Sequence, residues 1–344
     1  MKIFRILLLC GALAAAGCSK DEPASVQGML TFSTSVTGFD GEQMTRVNLA
    51  GNGFENGDKI KLKVICPFSS HTEFGETTYG NSFDAFWLLK WNAGEWATLT
   101  SADGYDINGD YSPSASPDVY DRFEAQQTPY VYTAQTWSEE QIFMAGNNTR
   151  VEQYSNVFHA NQTKEADYKA SDLMWAQTIQ QTGSYNVHLS FSHVMAALMV
   201  TIDDNGPGIS DNAVLTLEGM PDIDQAEVIV GDYYAAKSKV NSNDYGYRSK
   251  HSCTKEQNGK VIGVAVVNDA LRNASAKPIS EIGCTGTYTA YNAGQKCYRL
   301  IVPPCTLADK AVFWLRDGER RYSMTLDLTD FEQGRLYKIT MQIN

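Results

Sequence analysis

Side chains able to do chemistry are thinly spread through this sequence. Asp106-x-Asn108-x-Asp110 sets three oxygen-bearing side chains at alternate positions, the spacing with which a loop wraps a hard cation such as calcium. Tyr111 follows where the sharp turn of such a loop needs glycine, and no glutamate closes it, so the run reads as a polar surface loop. His188 and His193 are five apart, which on an extended strand puts them on opposite faces and denies them a shared metal. There is no G-x-S-x-G elbow, no phosphate loop ending in Gly-Lys-Ser/Thr, and no H-E-x-x-H. The carboxylates are scattered through loops and form no acid–base pair. The chain therefore reads as a non-enzyme, with no catalytic, cofactor-binding or metal-binding residues and no cofactor.

Two other residue groups carry possible chemistry. Phe83, Phe86, Trp87, Trp91 and Trp96 cluster in sequence, and Trp87 and Trp91, four apart, share one face of a strand. Such a face is either a platform for stacking sugar rings or the packing of a β core. The cysteines left after the N-terminal segment are Cys66, Cys253, Cys284, Cys297 and Cys305, with no C-x-x-C pair among them, so zinc ribbons and thioredoxin-type motifs are unsupported. Outside the cytoplasm one or two disulfides, within the 284–305 cluster, compete with buried free thiols.

The N-terminus carries the strongest covalent signal. Lys2 and Arg5 precede an apolar run from Ile6 to Ala16 that is too short to span a bilayer and is ordered like a cleaved leader. Leu13-Ala14-Ala15-Ala16-Gly17-Cys18 then resembles a bacterial lipobox, which implies cleavage before Cys18 and lipidation of its sulfur. Ser19-Lys20-Asp21-Glu22 resembles the surface-export signal of Bacteroidales lipoproteins and implies a protein facing outward from the outer membrane. Residues 18–27 form a short polar tether behind a leader of residues 1–17.

The elements that must position these groups are mostly strands. Glycine, tyrosine, threonine and valine are abundant, which favours β structure with frequent turns. Leu30 to Val36 alternates, with Leu30, Phe32, Thr34 and Val36 on one face and Ser33 and Ser35 on the other. A glycine-punctuated stretch follows, and within it Thr45-Arg46-Val47-Asn48 offers a basic site open to proteases. Lys59 to Cys66 alternates again. Residues 83–100 read as a hairpin turning at Asn92-Ala93-Gly94-Glu95, and Ser138 to Ala145 as a short helix. Tyr185 to Ile202 is the densest core signal, and Asp203-Asp204-Asn205-Gly206-Pro207-Gly208 is the best dividing turn, giving units of 28–206 and 207–344. Further strands are expected at 214–217, 227–230, 261–267, 322–328 and 337–343. The net charge of −12 argues against nucleic acid and anionic headgroups as partners.

Several segments in order resemble the fimbrillins, subunits of the type V pili of Bacteroidales. They are Phe54-x-x-Gly57-Asp58-Lys59-Ile60, Ser171-Asp172-Leu173-Met174, Phe191-Ser192-His193-Val194, Ile301-Val302-Pro303-Pro304 and Gly334-Arg335-Leu336-Tyr337. The resemblance implies an all-β chain of two tandem β-sandwich-like, transthyretin-like domains with a few short helices. It also implies a pilus subunit whose first strand (Leu30, Phe32, Val36) is removed by proteolysis after Arg46. A strand of the next subunit then fills the groove, the donor being Tyr337, Ile339, Met341 and Ile343 or, alternatively, the 322–328 strand. Partners implied are other fimbrial subunits by strand addition, the outer membrane through lipid, and a host or bacterial surface glycan or protein. A surface glycan-binding lipoprotein using Trp87, Trp91 and Trp96 is the competing reading.

Overall fold

The computed structural model describes residues 31–39, 54–65, 69–73, 76–80, 84–98, 131–136, 139–145, 149–155, 157–179, 186–205, 208–231, 234–235, 254–255, 259–266 and 277–343. The chain begins with β1 (Thr31–Thr37), β2 (Lys59–Ile65) and the hairpin β3 (Ser69–Glu73) and β4 (Glu76–Gly80). A second hairpin joins β5 (Asp84–Asn92) to β6 (Glu95–Thr98). Next come β7 (Val131–Thr136), β8 (Glu139–Ala145), β9 (Thr149–Ser155) and β10 (Val157–His159). Helix α1 (Glu165–Ser171) leads into β11 (Met174–Ile179), β12 (Asn186–His193) and β13 (Ala196–Asp204). Then follow β14 (Val214–Met220), β15 (Gln225–Val230), β16 (Tyr234–Ala235), β17 (Thr254–Lys255) and β18 (Val261–Val266). After a 3-10 turn at Ile279–Glu281 come β19 (Gly286–Thr289), β20 (Tyr291–Gly294), β21 (Cys297–Val302) and β22 (Cys305–Thr306). The chain closes with β23 (Val312–Asp317), β24 (Arg320–Thr325), β25 (Asp330–Phe331) and β26 (Leu336–Ile343).

Strands dominate the described residues, and the all-β expectation holds. A seven-stranded sheet runs β1-β12-β11-β7-β2-β5-β6. Its buried face gathers Ile60, Leu62, Leu89, Tyr132, Val187, Leu189 and Phe191 into one core. Two four-stranded sheets, β20-β21-β13-β26 and β19-β14-β23-β24, form a sandwich. Alternate residues of each, such as Leu198, Val200 and Leu300 against Leu215, Leu217 and Phe313, fill a second core. The chain passes from the first sheet to the second at Val194 and Met195, both buried in the second core. Asp203 and Asp204, where the expected dividing turn begins, are the last residues of β13 and pair with Gln342 and Ile343.

Sequence expectations meet the structure unevenly. The Ala93–Gly94 turn has positive φ at both positions (49° and 99°), the backbone that a tight two-residue hairpin demands. The segment read as a helix from Ser138 to Ala145 is instead β8, laddered to β9 from Glu139↔Ser155 to Ala145↔Thr149. Ser138 and Glu140 suit a helix N-terminus, but a complete antiparallel partner ten residues on outweighs that weak local preference. Cys284, Cys297 and Cys305 are free thiols, so the disulfide alternative does not hold among them, while Cys66 and Cys253 lie outside the described residues. Burial, with Cys284 nearby, pushes the Cys305 thiol up to about 12, which keeps it protonated and inert.

Buried polar groups pin the second core. Gln162, fully buried, donates from Nε2 to the carbonyls of Ile301 (2.7 Å) and His159 (2.9 Å), and its Oε1 accepts the Ile301 N–H at 2.9 Å. One side-chain amide thus serves the outward edge of β21 where β20 no longer reaches it. Gln162→Leu should strand both Ile301 groups and cost about 2–4 kcal/mol in urea unfolding, given roughly 1–3 kcal/mol per buried unsatisfied group. An unchanged midpoint would refute that role.

At one end of the sandwich, Lys296 and the Ile209 N–H hold the Asp204 carboxyl below the usual carboxylate range. The Ser210 hydroxyl, with Arg320, does the same for Asp317. Carboxyls depressed in the folded state stabilise it fully above their unfolded pKa, and this is lost as pH falls through the folded values. The urea midpoint should therefore drop below about pH 4, the ordinary Asp range, and Asp317→Asn should flatten that drop.

Candidate strand-exchange site

The expected removable strand is an edge. Strand β1 pairs with β12 alone, in parallel, from Thr31↔Asn186 to Thr37↔Ser192. Its inward residues alternate as read: Phe32 meets the Tyr132 ring edge-on (5.9 Å, 71°), and Phe32 and Val36 pack half-buried on the first core. Thr34 lies between them and accepts a hydrogen bond from the Trp96 indole N–H at 3.2 Å. Trp96 sits on β6, at the opposite edge of the same sheet, so the sheet curls until its two edges meet. On the outer face, Ser33 Oγ lies 2.9 Å from His188 Nδ1 and Ser35 Oγ 3.0 Å from His188 Nε2, so one imidazole ties down both serines. Ser35 also meets Ser190 Oγ at 3.2 Å.

Past β1 the chain plugs the second core. Phe39, 3% exposed, stacks on the His193 ring (3.8 Å between centroids, 17° between planes) and belongs to the second core cluster. His193 Nδ1 lies 2.7 Å from the Asp172 carboxylate, with both side chains almost fully buried, and His193 Nε2 has no hydrogen-bond partner. The two histidines do lie on opposite faces, one exposed and one buried. Sequence reading missed Phe39, because a lone aromatic between Gly38 and Asp40 shows no period. The one signal for it was its place directly after an alternating strand.

The expected donor, β26, occupies a matching edge. It pairs with β13 in parallel, from Ala197↔Leu336 to Asp204↔Ile343, at the end of its sheet. Met341 and Ile343 are buried, Tyr337 and Ile339 half-buried, and Lys338, Thr340 and Gln342 exposed. The Tyr337 hydroxyl donates to the Asp330 carbonyl (3.0 Å) and accepts the Glu332 N–H (2.9 Å). Its entry is fixed at Gly334, whose N–H reaches the Met195 carbonyl at 2.9 Å and whose φ is +72°. A side chain there would be strained by that φ and would crowd the His193 carbonyl at 3.2 Å. The alternative donor segment, 322–328, is β24 and the residues after it, hydrogen-bonded to β23 as an edge.

Other expected site residues fall elsewhere. Cys18, Ser19, Lys20, Asp21, Glu22, Leu30 and Arg46 lie outside the described residues, as does the Asp106–Asp110 run. Trp91 and Trp96 are cross-strand partners in a tilted, T-shaped contact (5.1 Å, 64°) that packs with Phe54 on the first core. They are not a coplanar platform. Trp87 lies on β5, with its side chain outside the description.

Truncating Phe39 tests whether the segment beyond β1 holds it in place. Phe39→Ala should cost about 3–5 kcal/mol, as for other buried aromatics. It should also raise hydrogen exchange at the β1 amides although Phe39 lies outside that strand. Exchange in β1 unchanged beside a lowered global stability would show that Phe39 serves the second core alone.

Comparison with known proteins follows this geometry. The sequence matches the fimbrillin-like family over residues 45–344. Among curated proteins none matches. Among solved structures it is similar to a candidate cell adhesion protein from Bacteroides ovatus, at 12% identity and TM-score 0.48, covering 91% of each chain. It is similar to a fimbrial protein from the same species, at 12% identity and TM-score 0.37, covering 91% of this chain and 50% of that one. A fimbrial assembly protein from Parabacteroides distasonis gives 9% identity and TM-score 0.32 over 90% of both. With the family match spanning most of its length, the chain belongs to the fimbrillin-like family.

Proposed function

We propose that this protein is a structural and adhesive subunit of a surface pilus, exported as a lipoprotein and polymerised by strand exchange. Family membership supports the pilus role. One observation carries the assembly step: β1 is a parallel edge strand held by one neighbour, and β26 repeats its inward alternation. Laid on β12 with Ile339 at the place of Phe32, a donor β26 sets Met341 at Thr34 and Ile343 at Val36. Tyr337 then takes the place of Leu30. On the outer face Thr340 and Gln342 replace Ser33 and Ser35, so His188 keeps polar partners. The mode is strand addition, in which the backbone ladder supplies affinity and the pockets supply register.

Removal of residues up to Arg46 would take Phe32, Val36 and Phe39 away together. Counting Phe39 as fully and the other two as half buried, the loss is roughly 3–6 kcal/mol. Set against a typical domain stability of about 5–15 kcal/mol, that loss puts strong pressure on the cut subunit to find a donor. In this reading Cys18 carries the lipid, Ser19 to Glu22 direct export to the surface, and an uncut chain stays monomeric at the outer membrane.

Intact mass of protein recovered from the native cell surface decides between these states. A chain starting at Val47, without lipid and in a polymeric fraction, is the expected result. Arg46→Ala should leave a lipidated chain starting at Cys18 and no polymer. Polymer built from chains that still carry Cys18 and β1 would overturn the mechanism. On protein cut in vitro after Arg46, a synthetic Leu336–Ile343 peptide should raise Tm, and a scrambled peptide should not.

A further inference from the structure

The outer face of the second sandwich presents an arrangement that strand exchange does not use. In β19-β14-β23-β24 the inward residues Leu215, Leu217, Phe313, Leu315 and Tyr288 are buried, so the alternate positions face outward. Trp314 is the large apolar residue exposed among the described residues, at 37%. The register seats it between Thr216 on β14 and Ser323 on β24, two short side chains, and over a third of the residue stays exposed. One step along the same face, Arg316 and Arg321 stand directly opposite each other. Like charges in that position are destabilising by themselves. Neither guanidinium has a hydrogen bond or ion pair with a described residue, because Asp317, next in sequence, turns inward to Ser210 and Arg320. Glu218 stands on the other side of the indole, opposite Val312. Thr216, Glu218, Trp314, Arg316 and Arg321 line a recess of about 360 Å³.

We propose that this face binds an acidic saccharide. The π face of Trp314 packs on the sugar ring, whose C–H groups are its positive complement. Arg316 and Arg321 share the carboxylate or sulfate, for which the guanidinium fork is the matching donor set. Glu218, away from the arginine end, accepts hydrogen bonds from ring hydroxyls and excludes a second anion there. The occupant is chosen by charge: two adjacent arginines with no ion partner among the described residues, on a chain of net charge −12, favour a small ligand with one localised anion over an extended polyanion. The site is independent of exchange through β26, since none of these residues lies on β1, β12, β13 or β26.

The test is titration of the full secreted chain, uncut, with sialyllactose, a 6-sulfated N-acetyllactosamine and neutral lactose, followed by chemical shifts of the Trp314 indole. Both acidic sugars, or one of them, should bind in the millimolar range or tighter, and lactose at least about tenfold more weakly. Arg321→Gln should erase that preference while raising the thermal midpoint slightly, since it relieves the like-charge pair, and Trp314→Ala should abolish binding with the far-UV circular dichroism of the folded chain retained. Raising the salt should weaken binding of the acidic sugar. Lactose binding as well as sialyllactose, or no shift with any sugar at about 10 mM, would overturn the proposal. So would a concentration-dependent dimer abolished by Trp314→Ala, which would make this face a contact between copies.

Discussion

A sheet edge with unsatisfied N–H and C=O groups is the constraint on which this fold turns. β12 and β13 are consecutive in sequence, and each has one edge covered by a parallel strand, the other edge of β12 pairing with β11 and that of β13 with the distant β21. Both edges are filled in parallel by strands from distant parts of the chain, β1 on β12 and β26 on β13. Parallel partners cannot be joined by a tight hairpin, so each covering strand reaches its place through a long connection. β1 is the first described element, and the next described strand, β2, lies elsewhere in the same sheet, so a cut between them would separate β1 covalently without breaking a ladder among the described residues. An antiparallel hairpin strand would have to unzip from its own neighbour in sequence.

The second structural decision is made at the junction between the two cores. Val194 and Met195 carry the chain across, and three separate segments converge on them. The Val194 N–H reaches the Leu173 carbonyl, the Met195 carbonyl takes the Gly334 N–H, and Phe39 lies flat on His193 next door. The buried Asp172–His193 pair sits at the centre of this convergence, with His193 Nε2 left without a partner. A buried polar group in that state persists only where packing around it is tight, and the Phe39 ring supplies one wall of that packing. Phe32 and Val36 belong to the first core and Phe39 to the second, so the residues around β1 bind the two cores together. Their removal would loosen the entry to β26 as well as the groove on β12, because Gly334 touches the same junction.

The sequence revealed this arrangement only where local pattern and tertiary partner agree. β1, β2, β24 and β26 follow period-two alternation because one face of each meets a core, and the Asn92–Glu95 turn carries its own chemistry. The crossover at Val194–Met195 was hidden, since it opens the apolar run from Val194 to Val200 with no turn residue to mark it. Gly206 and Pro207 signal a turn by composition, whereas the contacts of Ile209 with Asp204 and of Ser210 with Asp317 depend on tertiary placement that no local pattern shows. Trp91 and Trp96 were readable as an aromatic pair but not as buried or exposed, because a strand pattern does not say which face meets the core. Arg316 opposite Arg321 depends on the register of a hairpin, and that register is set by the Gly318 turn rather than by either arginine.

Why an uncut chain would keep its own strand, while a cut one would take another's, follows from concentration. A tethered β1 acts at an effective concentration of about millimolar, roughly a thousandfold above a micromolar neighbour, which favours self-complementation by about 4 kcal/mol. The proposed donor register answers with better chemistry: Met341 fills the position of Thr34, a polar side chain between two apolar ones. Thr34 is retained in β1 for a different purpose, as the acceptor that draws Trp96 across the curled sheet. In the proposed mechanism the weaker, more polar strand would hold the site while tethered and yield it once the tether is gone. A fully apolar β1 would bind the groove so well that even after cleavage it would block exchange. Under the proposed exchange, the half-buried Phe32 and Val36, with Thr34 between them, would suit a strand stable in an uncut precursor and replaceable in a fibre.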